Sequence, residues 1–108
     1  MEDKQVVAEI SIVPLGTGST SVSEYVAACL DVLEQQKKII YRLTPMGTML
    51  EGTLDDILAI TRKMHEVPFT KGAKRVVTTL KIDDRRDKKL SMEGKIQSVK
   101  KKKPDVII

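Results

Sequence analysis

Along residues 6–15, VVAEISIVPL, apolar and polar positions alternate, with Ala8, Ile10 and Ile12 on one side and Glu9, Ser11 and Val13 on the other. A period of two predicts a β-strand with one face in a core. From Val22 to Leu33 the period becomes helical, as Val22, Tyr25, Val26, Cys29, Leu30 and Leu33 form one stripe, and Ser21 with Glu24 predicts a capping box at its start. KIIYRLT at 38–44 and TMLEG at 48–52 read as strands joined by the Pro- and Gly-bearing turn TPMGT, an antiparallel hairpin. Helical spacing returns from Thr53 to Val67, with Leu54, Ile57, Leu58, Thr61, Met64 and His65 on one side, Thr53 and Asp56 as the cap, and Pro68 and Gly72 closing the helix. Residues 73–84, AKRVVTTLKIDD, form the clearest strand, and Met92, Ile96 and Val99 lie at i, i+4, i+7 on a basic final helix over 90–103.

The order β-α-β-β-α-β predicts an α+β fold, a ferredoxin-like βαββαβ sandwich with an additional C-terminal helix and a single domain over residues 1–108. Right-handed crossovers place the two main helices on one face of a four-stranded sheet. The other face is left bare, carrying Glu9, Ser11, Arg42, Thr44, Met49, Glu51, Thr79 and Lys81 together with Val13 and Val77. That mixture is too apolar to stay wet, and it predicts a ligand, a partner subunit or both.

Composition sharpens this outline in two places. Of 108 residues 41% are hydrophobic and 31% charged, the balance of a folding chain rather than a disordered one. No apolar run approaches the roughly 20 residues of a membrane span and the N-terminus lacks a signal-peptide pattern, so the expected location is cytoplasmic, away from membranes. The formal charge of +4 is unevenly placed: residues 88–103 hold seven lysines and one glutamate, a net +6, while the rest holds 12 Lys/Arg against 14 Asp/Glu, a net −2. Basicity thus belongs to the last segment and to the tail of about 100–108, where cations suit the negative end of a helix dipole.

Candidate chemistry is sparse. PLGTGSTS at 14–21 has neither the Lys of a phosphate-binding P-loop nor the third Gly of a dinucleotide fingerprint, and it reads either as a turn or as a loop in which Ser19 and Thr20 donate to a polar ligand. TPMGT offers hydroxyls at Thr44 and Thr48, a polarizable Met46 for a flat ring, and close backbone approach at Gly47, although a tight turn alone also explains it. KIDDRRD is expected to form an ion-pair network rather than a metal site, since its arginines pair with its acids. His65-Glu66 lacks the second His of a zinc motif, and the lone Cys29 sits among apolar neighbours as a buried thiol. No catalytic constellation and no cofactor motif is spelled. Specific nucleic-acid recognition is not expected either, because Tyr25, Tyr41 and Phe69 are the aromatic residues and none lies in RVVTTLKI, where base stacking would require one.

Three blocks, VPLGTGSTSVSEYVA at 13–27, TPMGTMLEG at 44–52 and RVVTTLKIDDRRD at 75–87, resemble the signature blocks of the thiamine-binding protein family. The resemblance spans nearly the whole chain except the tail. It implies a non-catalytic, often tetrameric homo-oligomer that binds thiamine or its hydroxymethylpyrimidine moiety. The ligand-binding residues expected on that basis are Ser19, Thr20, Thr44, Met46 and Thr48, with anion pairing by Lys81 or Arg85. The competing expectation is an oligomeric adaptor with no small ligand, in which the bare sheet face is consumed by subunit contact.

Overall fold

The computed structural model describes residues 4–107. The chain runs β1 (Gln5–Leu15), α1 (Ser23–Glu34), β2 (Ile40–Thr44), β3 (Gly47–Thr53), α2 (Leu54–Thr70), β4 (Arg75–Asp83) and α3 (Met92–Lys102). Its four strands form one sheet in the order β2-β3-β1-β4, every neighbouring pair antiparallel. The result is a small α+β fold of three helices and a four-stranded antiparallel sheet.

Register decides which side chains meet. Ala8 lies opposite Leu50 of β3 and Ile82 of β4, whereas Glu9 lies opposite Met49 and Lys81. Alternation then puts Val6, Ala8, Ile10 and Leu50 on one face, where they join Cys29 and Leu33 of α1 and Ile57, Ile60 and Met64 of α2 in a single buried cluster. Burying each large aliphatic side chain of this kind contributes about 1.5–3 kcal/mol, the main force holding both helices to the sheet.

Several local features differ from the sequence expectation, each for a physical reason. Helix α1 starts on Val22, not Ser21, and no side chain caps it. Ser21 instead donates its backbone N–H to Ser19 Oγ (3.1 Å) and pairs its hydroxyl with that of Ser23, so the Ser21–Glu24 capping box does not form. Helix α2 has the expected cap, Thr53 Oγ1 accepting from the Asp56 N–H at 3.2 Å. It does not stop at Pro68, however, but runs through it to Thr70 before Gly72, at φ +98°, turns the chain. Proline lacks the N–H that would serve the Met64 carbonyl one turn back. That carbonyl accepts instead from the Cys29 thiol, 3.5 Å away on α1. The apolar stripe of α2 is also rotated slightly, centring on Ile57, Ile60 and Met64, while Leu58 is about half exposed.

The sheet face away from α1 and α2 is only partly bare. Val7 lies on it yet is 3% exposed. Its register partners Glu51 and Asp83 both hold α3: Glu51 Oε1 accepts the Met92 N–H at 2.7 Å, and Asp83 pairs with Lys95. With Ser91 capping the Gly94 N–H and Met92 buried, α3 covers one end of that face. The rest carries Val13, Leu15, Ile40 and Val77 at the surface.

The hydroxyl oxygen of Thr61 is buried on α2 without a hydrogen-bond partner among the described residues. An unpaired buried hydroxyl costs free energy that an isosteric methyl does not. Thr61→Val is therefore expected to raise stability by about 1 kcal/mol, read as a higher urea midpoint at unchanged slope.

Candidate functional site

The site begins with a mismatch of strand lengths. The last β1–β3 pair is Ile10 with Thr48, but β1 continues to Leu15 beside β4. The hairpin turn between β2 and β3 consequently ends beside the middle of β1, and a notch opens between that turn, the exposed stretch of β1 and the first turn of α1. It forms a cleft of about 750 Å³, within the usual range for small-molecule sites.

Each wall has a clear origin. The hairpin side is Thr44, Pro45, Met46 and Thr48. Thr44 Oγ1 donates to the Gly47 carbonyl at 2.8 Å, closing the turn, and Thr48 is 5% exposed in the wall. Met46 is 86% exposed at the rim, a long polarizable side chain with nothing yet packed against it. Gly47 is required by proximity rather than by backbone angle, because a Cβ there would fall 3.0 Å from the Ile10 carbonyl oxygen. The opposite wall is Ser21, Val22 and Ser23, where the uncapped start of α1 presents its first backbone N–H groups. Ile10, Ile12 and Met64 form the apolar floor.

Among the described residues no Lys, Arg, Asp, Glu or His lines this cleft. Its recognition chemistry is thus apolar surface plus neutral hydroxyls and backbone dipoles. Cys29 also borders it, but desolvation pushes its thiol up to about 11 and its Sγ is engaged with the Met64 carbonyl, which leaves little thiolate for nucleophilic work. His65, on α2, spends its Nδ1 on the Thr78 hydroxyl at 2.6 Å and packs edge-on against Phe69. Among the described residues no group of three His, Cys, Asp or Glu is placed to hold a metal ion.

The structure brings Thr44, Met46 and Thr48 together in one cleft. Ser19 and Thr20 are exposed in the loop that enters α1, a loop whose Gly16 and Gly18 have φ of +71° and +79° and whose Thr17 hydroxyl donates to the Ser19 carbonyl. They adjoin the cleft without lining it. Lys81 and Arg85 lie elsewhere. Lys81 stands on the sheet face away from the cleft floor, 3.8 Å from Glu9, and Arg85 sits beyond β4 in a fork-to-fork pair with Asp87 (2.6 and 2.8 Å). That pair draws the Asp87 carboxyl down to about 2, its hydrogen bond to Arg85 being the largest cause, and Arg86 pairs likewise with Asp84. Sequence reasoning missed the α1 wall and the floor. The available signal was length: the alternating run at 6–15 is longer than the hairpin strands it pairs with, so a notch must open at its end.

Comparison with known proteins agrees with this architecture. The family model described as thiamine-binding protein matches residues 8–100. The Bacillus subtilis UPF0045 protein YqgV is 50% identical over 98 residues, covering 88% of this chain and 94% of its own. Among solved structures, MJ1052 from Methanocaldococcus jannaschii is similar at a TM-score of 0.80 with 41% identity, covering 89% of this chain and 96% of that one. A Thermotoga maritima protein assigned provisionally to thiamine biosynthesis or salvage shares the fold at a TM-score of 0.72 with 21% identity, covering 88% of this chain and 98% of that one. The matched residues take in β2, β3, β4 and both core helices whole, with most of β1 and of α3, and so the chain belongs to the thiamine-binding protein family.

Proposed function

We propose that this protein is a non-catalytic binding protein for a small heteroaromatic molecule of the thiamine or hydroxymethylpyrimidine type, taken up in the cleft between the hairpin turn and the start of α1. The observation that carries the reading is the lining itself: an apolar floor, neutral hydroxyls and the uncapped start of α1, with no charged side chain among the described residues. Such a surface suits a flat ring bearing amino and hydroxyl groups. Met46 closes over the ring, Thr48 and the Ser21–Ser23 turn supply hydrogen bonds, and Ser19 and Thr20 sit at the entrance. Lys81 and Arg85 take no part, being on other surfaces. The scaffold is read as the ferredoxin-like arrangement on its strand order β2-β3-β1-β4.

Self-association belongs to the same proposal. Val13, Leu15, Ile40 and Val77 expose apolar surface on the part of the sheet that α3 leaves uncovered, and a homo-oligomer, which we infer to be a tetramer, would bury it. If that face alone is the functional surface, the protein is an adaptor without a small ligand.

A thermal-melting series separates the two readings. Hydroxymethylpyrimidine or thiamine at about 100 times its dissociation constant should stabilise the folded state by about 2.7 kcal/mol, and unrelated heterocycles should not. Met46→Ala and Thr48→Ala should each reduce the ligand-dependent rise, measured against the same variant without ligand. Absence of any rise in a folded, oligomeric sample would reject the ligand and favour the adaptor.

A further inference from the structure

A second cleft, also about 750 Å³, lies at the end of the molecule where β4 passes into α3. Its character is opposite to that of the first. Lys4, Arg85, Arg86, Lys88 and Lys89 line it against two carboxylates, Glu51 and Asp87. Both carboxylates are already engaged by the protein: Glu51 accepts the Met92 N–H, and Asp87 is held through both oxygens by Arg85. Among the described residues no carboxylate lies within ion-pair distance of Lys4, Lys88 or Lys89. Five cationic side chains against two carboxylates leave the described lining of this cleft with a net positive charge.

The segment that carries the charges has no helix or strand, yet it is tied down at several points. Arg86 forks onto Asp84, Arg85 onto Asp87, and Lys4 Nζ donates to the Arg86 carbonyl at 2.7 Å. These bonds fix the loop backbone and leave the Lys88 and Lys89 ammonium groups exposed beside it. Ammonium groups act as compact point charges suited to phosphate oxygens. Exposed pairs of this sort are individually weak, so a monoanion gains too little to be held, whereas a ligand with several negative charges engages several lysines at once. The cleft has the volume of a small-molecule site, and no aromatic residue lines it for base stacking.

We propose that this cleft binds a small polyphosphate, a diphosphate or triphosphate group free or carried on an organic molecule, independently of the neutral cleft at the hairpin. Lys4, Lys88 and Lys89 supply the neutralising charge, and the Arg85–Asp87 and Arg86–Asp84 pairs hold the loop that presents them.

Calorimetric titration of the full chain with inorganic pyrophosphate and triphosphate, neither of which carries a ring, tests this without reference to the hairpin cleft. One-site saturable binding is expected that weakens with added salt and falls about tenfold in Lys88→Gln/Lys89→Gln, while Lys101→Gln/Lys102→Gln, at the far end of α3, changes it less than twofold. Because all four lysines are exposed, unchanged melting curves will show that both variants fold. A pyrophosphate ester of a heterocycle binding no better than pyrophosphate itself would identify the phosphate as the recognised group. No saturable binding, an equal loss in the two double variants, or tighter competition by a short oligonucleotide would overturn the proposal in favour of diffuse polyanion attraction.

Discussion

Leu50→Ala is expected to destabilise the protein by about 3–5 kcal/mol, the upper part of the range for a buried leucine. Leu50 has no exposed surface and sits in the middle of β3, between Ala8 of β1 and Tyr41 of β2, beneath both core helices. The size of the loss follows from its neighbours. Ala8 has only a methyl group with which to fill the hole, and the hydrogen-bonded sheet prevents β1 from moving in, so the cavity stays open and the cost of lost contacts adds to the transfer term. Urea unfolding at one fixed protein concentration would measure it, since any self-association also contributes to stability. A loss below about 1 kcal/mol would mean that the sheet relaxes around the gap and that the core is less tightly determined than the register implies.

Gly47→Ala is the second substitution with a large expected effect, about 1–3 kcal/mol, and it acts on the site as well as on stability. The new methyl would stand 3.0 Å from the Ile10 carbonyl, which is held in the β1–β3 ladder and cannot swing aside. Relief has to come from the hairpin, by displacement of the turn that carries Thr44 and Met46. Ligand affinity should therefore fall together with stability in this variant, whereas Leu50→Ala, away from the cleft, should lower stability and leave binding by the folded fraction nearly unchanged. Parallel melting curves with and without hydroxymethylpyrimidine distinguish the two cases.

How much of this was readable from the chain depends on the kind of information each feature needs. Alternation in VVAEISIVPL and RVVTTLKI, and the helical stripe from Val22 to Leu33, placed β1, β4 and α1 to within about two residues, because one-sided burial writes its period directly into the sequence. The face carrying Glu9, Arg42, Met49, Thr79 and Lys81 also followed from period two, and the register bears it out. Features settled by competition between neighbouring groups were not legible. Ser21 had the right spacing for a capping box, yet its hydroxyl turned to Ser23 and its own N–H to Ser19. Pro68 looked like a stop, but its missing donor was offset by the Cys29 thiol on another helix, a partner 35 residues away that no local pattern reveals. The same limit applies to the cleft. Thr44, Met46 and Thr48 share one turn and are legible together, whereas the wall from α1 and the floor at Met64 arise only when the helices pack; Lys81 lies on the other sheet face by strand alternation, and Arg85 lies past the end of β4.

In the function proposed, the neutral cleft between the hairpin turn and α1 receives a small heteroaromatic molecule. The most direct test of that function is a methyl and amide NMR titration of the full chain with hydroxymethylpyrimidine. Saturable shifts confined to Met46, Thr48, Leu43, Met64 and the Ser21–Ser23 amides are predicted, with Val77, Thr79 and Lys81 on the opposite face unmoved; saturable shifts centred on that opposite face, or none at all, would contradict it.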